Sequence, residues 1–406
     1  MGSSIPYLTL DPEIEAAICA DRAAGRSSRF RTADEDVVRR EPNPHDEATL
    51  ARPAFARDIE KILNVPAYNR YAGKTQVFSF VEDDDICRRG LHVQLVGRVA
   101  RAIGELLGLN GHLIEAIALG HDVGHTPFGH AGERFLSKAL HARTGRYFNH
   151  NVHSVRVLDK LYLRNISLQT LNGVLCHNGE FACQTLQLGG MEDFEALDGT
   201  VEACARDESN IAELRPSTLE GCVVRVSDMI AYIGKDRQDA LDRGVIPSLD
   251  IFDSDYIGVD NARIINNLTI DIVNHSYGTD RISMSEEAFA DLKRAKRQNY
   301  ELIYNEEGMT EDAGNLVEEM FARLYERLAD DLARGDESSP VFKHHIAKLC
   351  AKSRSITVDG YLEEGIDQIV VDYLSSMTDD CFLSLYRHLF PDDARRVAIE
   401  DYCYDL

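Results

Sequence analysis

The amino-acid sequence predicts an all-α protein of many helices. Apolar residues recur at three- and four-residue steps in one segment after another, capping and stop signals bound those segments, and no internal repeat or low-complexity tract interrupts them. One stretch, 261–280 (ARIINNLTIDIVNHSYG and its flanks), reads equally as a helix or as a short β element, because periodicity alone does not decide it.

Residues 1–52 are polar and end in the turn-rich EPNPHDEATLARP, which reads as a loosely attached N-terminal arm with short helices. The catalytic core is expected over 53–245. In LHVQLVGRVARAIGELLGL, Leu91, Leu95, Val99, Ile103 and Leu106 or Leu107 form the apolar stripe of a long amphipathic helix. HLIEAIALGHD is apolar almost all round, so it is expected to be buried on several sides. Further helices follow in AGERFLSKALHAR, NVHSVRVLDKLYL and SLQTLNGVLCHN, and a longer one runs from the caps Ser217 and Thr218 to the stop at Arg243-Gly244. Between them the acidic segment 188–210 lacks clear periodicity and reads as a flexible insertion near the pocket. Beyond it, 246–406 is expected to be a helical region packed on the core. There Ser283 and Glu286 read as a capping box, followed by helices in NLVEEMFARLYERLADDLARG and IDQIVVDYLSSMTDDCFLSLYRHLF.

Composition narrows the function. The 406 residues are 44% apolar, enough for a sizeable core without staples. Nine cysteines without a C-x-x-C pair argue against a disulfide framework or a cysteine zinc site and fit a cytoplasmic protein. No apolar run approaches the ~20 residues needed to span a bilayer, so no membrane partner is expected. The formal net charge of −24 weighs against extended nucleic-acid binding but leaves room for a small anionic substrate, since a metal and a few cations can dominate one pocket.

The chemistry gathers in HDVGHTPFGHAGE, residues 121–133, directly after the apolar run LIEAIALG. His121 and Asp122 at a helix end can share one ion if other ligands come from elsewhere. His92 on the preceding helix is a candidate, since short connections make antiparallel neighbours. Asp228 on the long helix lies among apolar residues, where an unpartnered carboxylate is costly. Two histidines and two aspartates suit a divalent metal with open positions. The set does not choose among manganese, iron, nickel, zinc and magnesium.

These residues carry a resemblance. The pattern His92, His121-Asp122, Asp228 resembles the HD-domain phosphohydrolases. The wider text is similar to the deoxynucleoside triphosphate triphosphohydrolases, the dGTPase-like branch: GKTQVF (73–78), HDVGHTPFGHAGE, FNHN (148–151), DMIAYIGKDRQDAL (228–241), NHSYG with ISMS (274–285) and DYLSSMTD (372–379). The resemblance implies a multi-helix HD-domain fold with additional C-terminal helices. It also implies hydrolysis at the α-phosphorus to deoxynucleoside and tripolyphosphate, and a metal on His92, His121, Asp122 and Asp228. It further implies His130 as the catalytic histidine with Glu133 as its paired carboxylate. Arg89, His125, His150, Tyr232 and Asp236 match substrate-facing positions, with Lys74 and Gln76 matching as substrate-binding or packing residues. His153 and His177 read as framework residues. Relatives of this kind assemble as homo-oligomers, often hexamers, with nucleotide activators between subunits.

The sequence departs from the family in three places. RRGLHVQLVG replaces a form like R-L-T-H-S, Met229 stands where some relatives have a phosphate-contacting lysine, and the stretch before GKTQVF has fewer arginines. These changes touch the triphosphate grip and leave the candidate metal set intact. Two other readings use the same residues: action on another nucleotide phosphate ester, or a non-catalytic nucleotide sensor.

Overall fold

Helix follows helix through the described chain. The computed structural model describes residues 5–81, 83–178, 183–304, 311–352, 355–395, 397 and 399. In chain order the helices are α1 (Pro12–Ala23), α2 (Ala54–Leu63), α3 (Pro66–Arg70), α4 (Arg89–Leu107), α5 (Gly111–Gly120), α6 (Gly129–Thr144), α7 (His150–Arg156), α8 (Leu168–Leu175), α9 (Phe194–Arg206), α10 (Leu219–Asp242), α11 (Asn261–Ser276), α12 (Glu286–Asn299), α13 (Glu311–Ala333), α14 (Ala347–Lys352), α15 (Val358–Leu362), α16 (Ile366–Ser375) and α17 (Asp379–Leu389). Among the described residues the sheet is one antiparallel pair, β1 (Thr185–Leu186) with β2 (Ile282–Ser283). No helix is long and apolar enough to cross a membrane.

The centre is α4, packed on α5 and α10, with α11 against α4 and α10. Val96, Val99 and Ile103 meet Leu113, Ile114 and Ile117 of α5, Val223, Val226 and Ile230 of α10, and Leu268 and Ile272 of α11. Each such fully buried aliphatic side chain contributes about 1.5–3 kcal/mol. Local signals set the helix ends. The Thr218 side chain accepts from Gly221 N–H to open α10, the Asn110 side chain accepts from His112 and Leu113 N–H to open α5, and Gly108 ends α4 with φ +70°. A second apolar body joins Leu136 and Leu140 of α6 to Phe321 and Leu324 of α13, Val370 and Leu374 of α16, and Phe382 of α17.

Several sequence expectations need correction. The stretch 261–276 is helical: Ile264, Asn267, Leu268, Asp271 and Ile272 point inward at helical spacing, and the strand propensity of its β-branched residues yields to packing on α10. The β element lies just beyond, at 282–283, and it contains Ser283. The cap of α12 is therefore Ser285, which accepts from Ala288 N–H. The inward stripe of α4 is rotated by about one residue from the expected one. Leu91 is 48% exposed, whereas His92, Val93, Val96, Ala100 and Ile103 are buried, so His92 faces the interior.

The acidic segment holds α9, whose Asp193 caps Ala196 N–H and whose Leu197 and Cys204 are fully buried. It is a packed element. The N-terminal arm is also firmly fastened: Arg39 pairs with the buried Asp58 at 2.5 Å, and the buried Glu220 accepts from Thr32 N–H, Thr32 Oγ1 and Asn110 N–H. The eight cysteines among the described residues are free thiols, and Cys403 lies outside them.

The C-terminal region is tied to the core by charge as well as by packing. Asp372 of α16, fully buried, takes Arg156 Nε and Nη2 of α7 at 2.8 Å each, Tyr361 Oη at 2.7 Å and Gln368 Nε2 at 2.9 Å. Burial pushes the Asp372 carboxyl up, but Arg156 outweighs it and holds the group far below the usual carboxylate range. Because the folded-state value is depressed, this stabilisation is present above the unfolded value near pH ~4 and is lost as pH falls below it. Asp372→Ala is expected to cost about 3–5 kcal/mol at pH 7, since it strands a largely buried guanidinium. Urea unfolding across pH should show the gap between wild type and variant narrowing below about pH 4. An unchanged gap would contradict the assigned role.

Candidate active site

Four side chains from two helices and one turn converge. His92 of α4 and Asp228 of α10 meet at 3.0 Å (Nε2 to Oδ1). His121 Nε2, just past α5, lies 3.5 Å from Asp122 Oδ2 and 3.9 Å from Asp228 Oδ1. His121 Nδ1 donates to the Ala118 carbonyl at 2.7 Å, which leaves Nε2 as a lone pair, buried and without a hydrogen-bond partner. A lone pair and two carboxylate oxygens directed at one point are mutually repulsive unless a cation lies between them. The donor set therefore fits a divalent ion, held by His92, His121, Asp122 and Asp228. His177 adds to this cluster, with Nε2 at 3.7 Å from Asp122 Oδ1 and Nδ1 donating to the Val174 carbonyl at 2.6 Å.

The charge environment favours ionised carboxylates here. Burial alone raises Asp122, but His121 and Arg89 above all outweigh it and hold the carboxyl well below its ordinary value. Asp228, raised by burial and lowered by the hydrogen bond from His92 and by His121, settles at about 2. His177 is pushed down to about 3, first by burial and then by His121 and His150. His125 is driven well below the usual histidine range by burial, Arg89 and His150, so its ring is neutral.

Beside this cluster runs a chain of proton-bearing groups. His130 Nδ1 meets Glu133 Oε2 at 3.0 Å, across one turn at the start of α6. Glu133 Oε1 accepts from His150 N–H at 2.7 Å and lies 2.9 Å from His150 Nδ1, while His150 Nε2 lies 3.1 Å from His177 Nε2. His125 stacks on His150 with centroids 4.6 Å apart, and both its ring nitrogens are buried without a partner. Burial pushes Glu133 up, and His150 and His130 pull it well below the usual range. Glu133 is thus a fixed anion that orients two imidazoles.

The turn VGHTPFG explains how the two clusters come to face each other. A Cβ at Gly124 would sit 2.3 Å from Ser154 N, so only glycine permits this approach to α7, and Gly124 N–H donates to Ser154 Oγ at 2.9 Å. Phe128 takes a left-handed backbone, φ +60°, at the start of α6. Two things hold that strained conformation: Asp379 Oδ1 accepts Phe128 N–H at 3.0 Å, and the ring packs on Phe80 and Phe382. Asp379 also binds Thr75 through Oδ2, at both its N–H and its hydroxyl. Lys74 Nζ donates to the carbonyls of His125 and Ser375. The GKTQVF and DYLSSMTD motifs are thereby clamped to each other and to the histidine-rich turn.

The two clusters meet at one cavity of about 270 Å³, with His121, Glu133 and His177 set against residues that line it. Arg89, Gln76, Tyr232 and Asp236 line it together with His92, Asp122, His125, His130, His150 and Asp228. Lys74 does not; its ammonium is taken up by the two carbonyls. Arg89 is buried against Asp122, with a second bond to the Thr75 carbonyl at 3.3 Å. Asp236 Oδ2 accepts from Tyr304 Oη at 2.6 Å, its Oδ1 is buried without a partner, and burial lifts the carboxyl to about 7.

Among the polar cavity or cluster residues that the sequence reading missed are His177, Arg134, Tyr300 and Tyr304. His177 was assigned to the framework because nothing local marks it. Arg134, one residue after Glu133, lines the cavity beside α6, and Tyr300 and Tyr304 reach it from the C-terminal region. The only signal for Arg134 was helical: it follows His130 by four residues. His153 is a framework residue, with Nε2 2.7 Å from Ser375 Oγ.

Comparison with known proteins agrees with this geometry. The HD domain family model matches residues 89–233, which contain all four candidate ligands. The chain is 30% identical to a deoxyguanosinetriphosphate triphosphohydrolase-like protein of Caldanaerobacter subterraneus subsp. tengcongensis, covering 93% of this chain and 94% of that one. Proteins of the same description from Clostridium perfringens (30% identical; 86% and 89% covered) and Geobacter sulfurreducens (28%; 84% and 89%) are also similar. With this coverage and the HD-domain match, the chain belongs to the deoxyguanosinetriphosphate triphosphohydrolase-like family of HD-domain phosphohydrolases.

Proposed function

We propose that the protein hydrolyses deoxynucleoside triphosphates to deoxynucleoside and inorganic tripolyphosphate, using a divalent metal on His92, His121, Asp122 and Asp228. The observation that carries this reading is the meeting, at one cavity, of the cluster formed by the His121 lone pair, Asp122 and Asp228 with the His130–Glu133–His150 chain, both of which present side chains to its wall. When bound, the ion supplies Lewis acidity, polarising a phosphoryl oxygen and making water nucleophilic near neutral pH. Water oxygen bonds to the α-phosphorus as the bond to O5′ breaks, and the nucleoside oxygen needs a proton as it leaves.

His130 is suited to give that proton. Its Nδ1 is engaged by Glu133, so Nε2 is the exchanging atom, and the Glu133 anion stabilises the charged imidazole. Glu133 also fixes His150, which backs the neutral His125. A neutral imidazole with two buried, unpartnered nitrogens can donate to a phosphate oxygen without the cost of a buried charge. Arg89 and Arg134 add fixed positive charge at the cavity wall. At the other end, Asp236 Oδ1 is an acceptor of the kind a sugar hydroxyl requires, held in place by Tyr304.

Four outcomes follow for the purified protein. With each deoxynucleoside triphosphate in turn and a divalent metal, ³¹P spectroscopy should resolve tripolyphosphate as the inorganic product; orthophosphate alone would overturn the proposal. His121→Ala should lose stoichiometric metal in elemental analysis along with turnover. His130→Ala should keep its metal and substrate affinity while kcat drops by about 10²–10⁴. Full activity in both variants would remove the assigned roles, and Glu133→Gln should lie between them and wild type, down roughly 10–100-fold.

A further inference from the structure

Two histidines beside the candidate metal set have tautomers dictated by their hydrogen bonds. His177 Nδ1 donates to the Val174 carbonyl at 2.6 Å, and His150 Nδ1 donates to the Glu133 carboxylate at 2.9 Å. Each ring is then left with a lone pair on Nε2, and the two Nε2 atoms face each other at 3.1 Å. Lone pairs at that distance repel, so a cation belongs at this edge, either one more proton or a metal ion. The third neighbour separates the two cases. Asp122 Oδ1 is 3.7 Å from His177 Nε2 and 3.8 Å from His150 Nε2. Both distances are beyond hydrogen-bond reach, so a proton shared by the rings leaves this oxygen unused.

A metal ion engages all three atoms at once. Ligand atoms about 2.1 Å from one ion stand about 3.0 Å apart at a right angle and about 3.4 Å apart at the tetrahedral angle. The edge between the histidines fits, and the two edges to Asp122 need to close by only a few tenths of an ångström. Asp122 is placed to bridge: Oδ2 lies toward His121 at 3.5 Å, while Oδ1 lies toward His150 and His177. Asn178, next in the chain after His177, lines the main cavity, and its Oδ1 is buried without a partner. It is a neutral oxygen donor of the kind that completes such a shell. Charge points the same way. Asp122, Asp228 and Glu133 together outnumber Arg89, so with neutral imidazoles one divalent ion only balances the group, whereas a second gives the net positive charge that a polyphosphate needs.

We propose that His150, His177 and Asp122 Oδ1 form a second divalent-metal site, joined to the first by the Asp122 carboxylate. It takes an ion that imidazole suits, such as iron, nickel or zinc. Ions paired in two-metal sites stand about 3.5–4 Å apart, close enough to act on one phosphoryl group. The site shares Asp122 with the ion of the proposed function and rests on that reading to this extent; it does not depend on which phosphate ester is cleaved.

The test is the metal content and magnetism of the full chain. Wild type, His177→Ala and His121→Ala are stripped of metal, reloaded with cobalt(II), whose affinity for such ligands falls between those of iron and nickel, and desalted. Elemental analysis should find two ions per chain in wild type. The shared carboxylate should couple their spins, so the single-ion paramagnetic resonance signal falls well short of the metal content. His177→Ala, checked for folding by circular dichroism, should hold one ion with its full, uncoupled signal. If that variant does not fold, the count and the coupling in wild type decide. One ion in wild type, lost by His121→Ala and kept by His177→Ala, overturns the second site and leaves the first intact. One ion kept by His121→Ala and lost by His177→Ala supports the second site and removes the first; no bound ion removes both. Two uncoupled ions in wild type, or two ions held by His177→Ala, also overturn the proposal. None of these readouts involves turnover, so failure of the proposed reaction leaves the result intact.

Discussion

The rest of the molecule is arranged around buried negative charge. Asp122 and Asp228 line one cavity, and Glu133 is bonded to two histidines of its wall, in a chain that already carries a formal charge of −24. Taking a carboxylate out of water costs several kcal/mol, and it persists in ionised form only where cations and donors surround it. Arg89 covers one side of Asp122, His92 covers Asp228, and His130 and His150 cover Glu133. What remains is the face where Asp122, Asp228 and the His121 lone pair look at one another. That residual mismatch is local and directional, which distinguishes a metal-capable site from a salt-bridge network that closes on itself.

Holding such groups together requires a stiff scaffold, and the helical core provides one. α4, α5 and α10 are locked by aliphatic contacts, so His92, His121 and Asp228 inherit their separations from helix packing rather than from loop conformation. The catalytic turn has no such regular structure, and its precision comes from hydrogen bonds. Asp379 and Lys74 grip it from the C-terminal region and from GKTQVF, and Phe128 is held in a left-handed conformation by both packing and Asp379. The C-terminal helices are thus part of the site: they brace its turn and contribute Tyr300 and Tyr304 to its wall.

How much of this could be read beforehand varied with the range of the interaction. Helices with clear periodicity, such as α6, α10 and α13, were legible because each one's apolar face is written within its own span. The grouping of His121 with Asp122, and of His130 with Glu133, was legible for the same reason. Helix α11 was not, because its β-branched residues carry strand propensity and only the surface of α10 decides the matter. The rotation of α4 escaped as well, since Leu91 and His92 are adjacent and only a polar cavity on the inner face favours the histidine. His177 is the clearest case: its role arises from the approach of the end of α8 to Asp122 and His150, sixty or fewer residues away in sequence but unmarked by any local pattern. Long-range polar contacts of this kind leave no periodicity to read.

The substitution at Met229 bears on how phosphates are held. Its side chain is 3% exposed and belongs to the apolar cluster around α10, so no cation reaches the cavity from that position. Arg89 is shared with Asp122 and cannot give its whole charge to a ligand. Under the proposed function, a triphosphate in the cavity meets the ionised Asp122 and Asp228, and Asp236 lifted to about 7, against one shared and one exposed arginine. Coulomb repulsion at such distances, even at an effective dielectric of about 20, amounts to several kcal/mol per pair. A divalent ion on Asp122 and Asp228 reverses that sign for the phosphates nearest to it. Arg134, exposed and also lining the cavity, adds a second positive charge there. On the proposed function, the ion is then needed for substrate binding as well as for chemistry, because Met229 brings no cation of its own to the cavity.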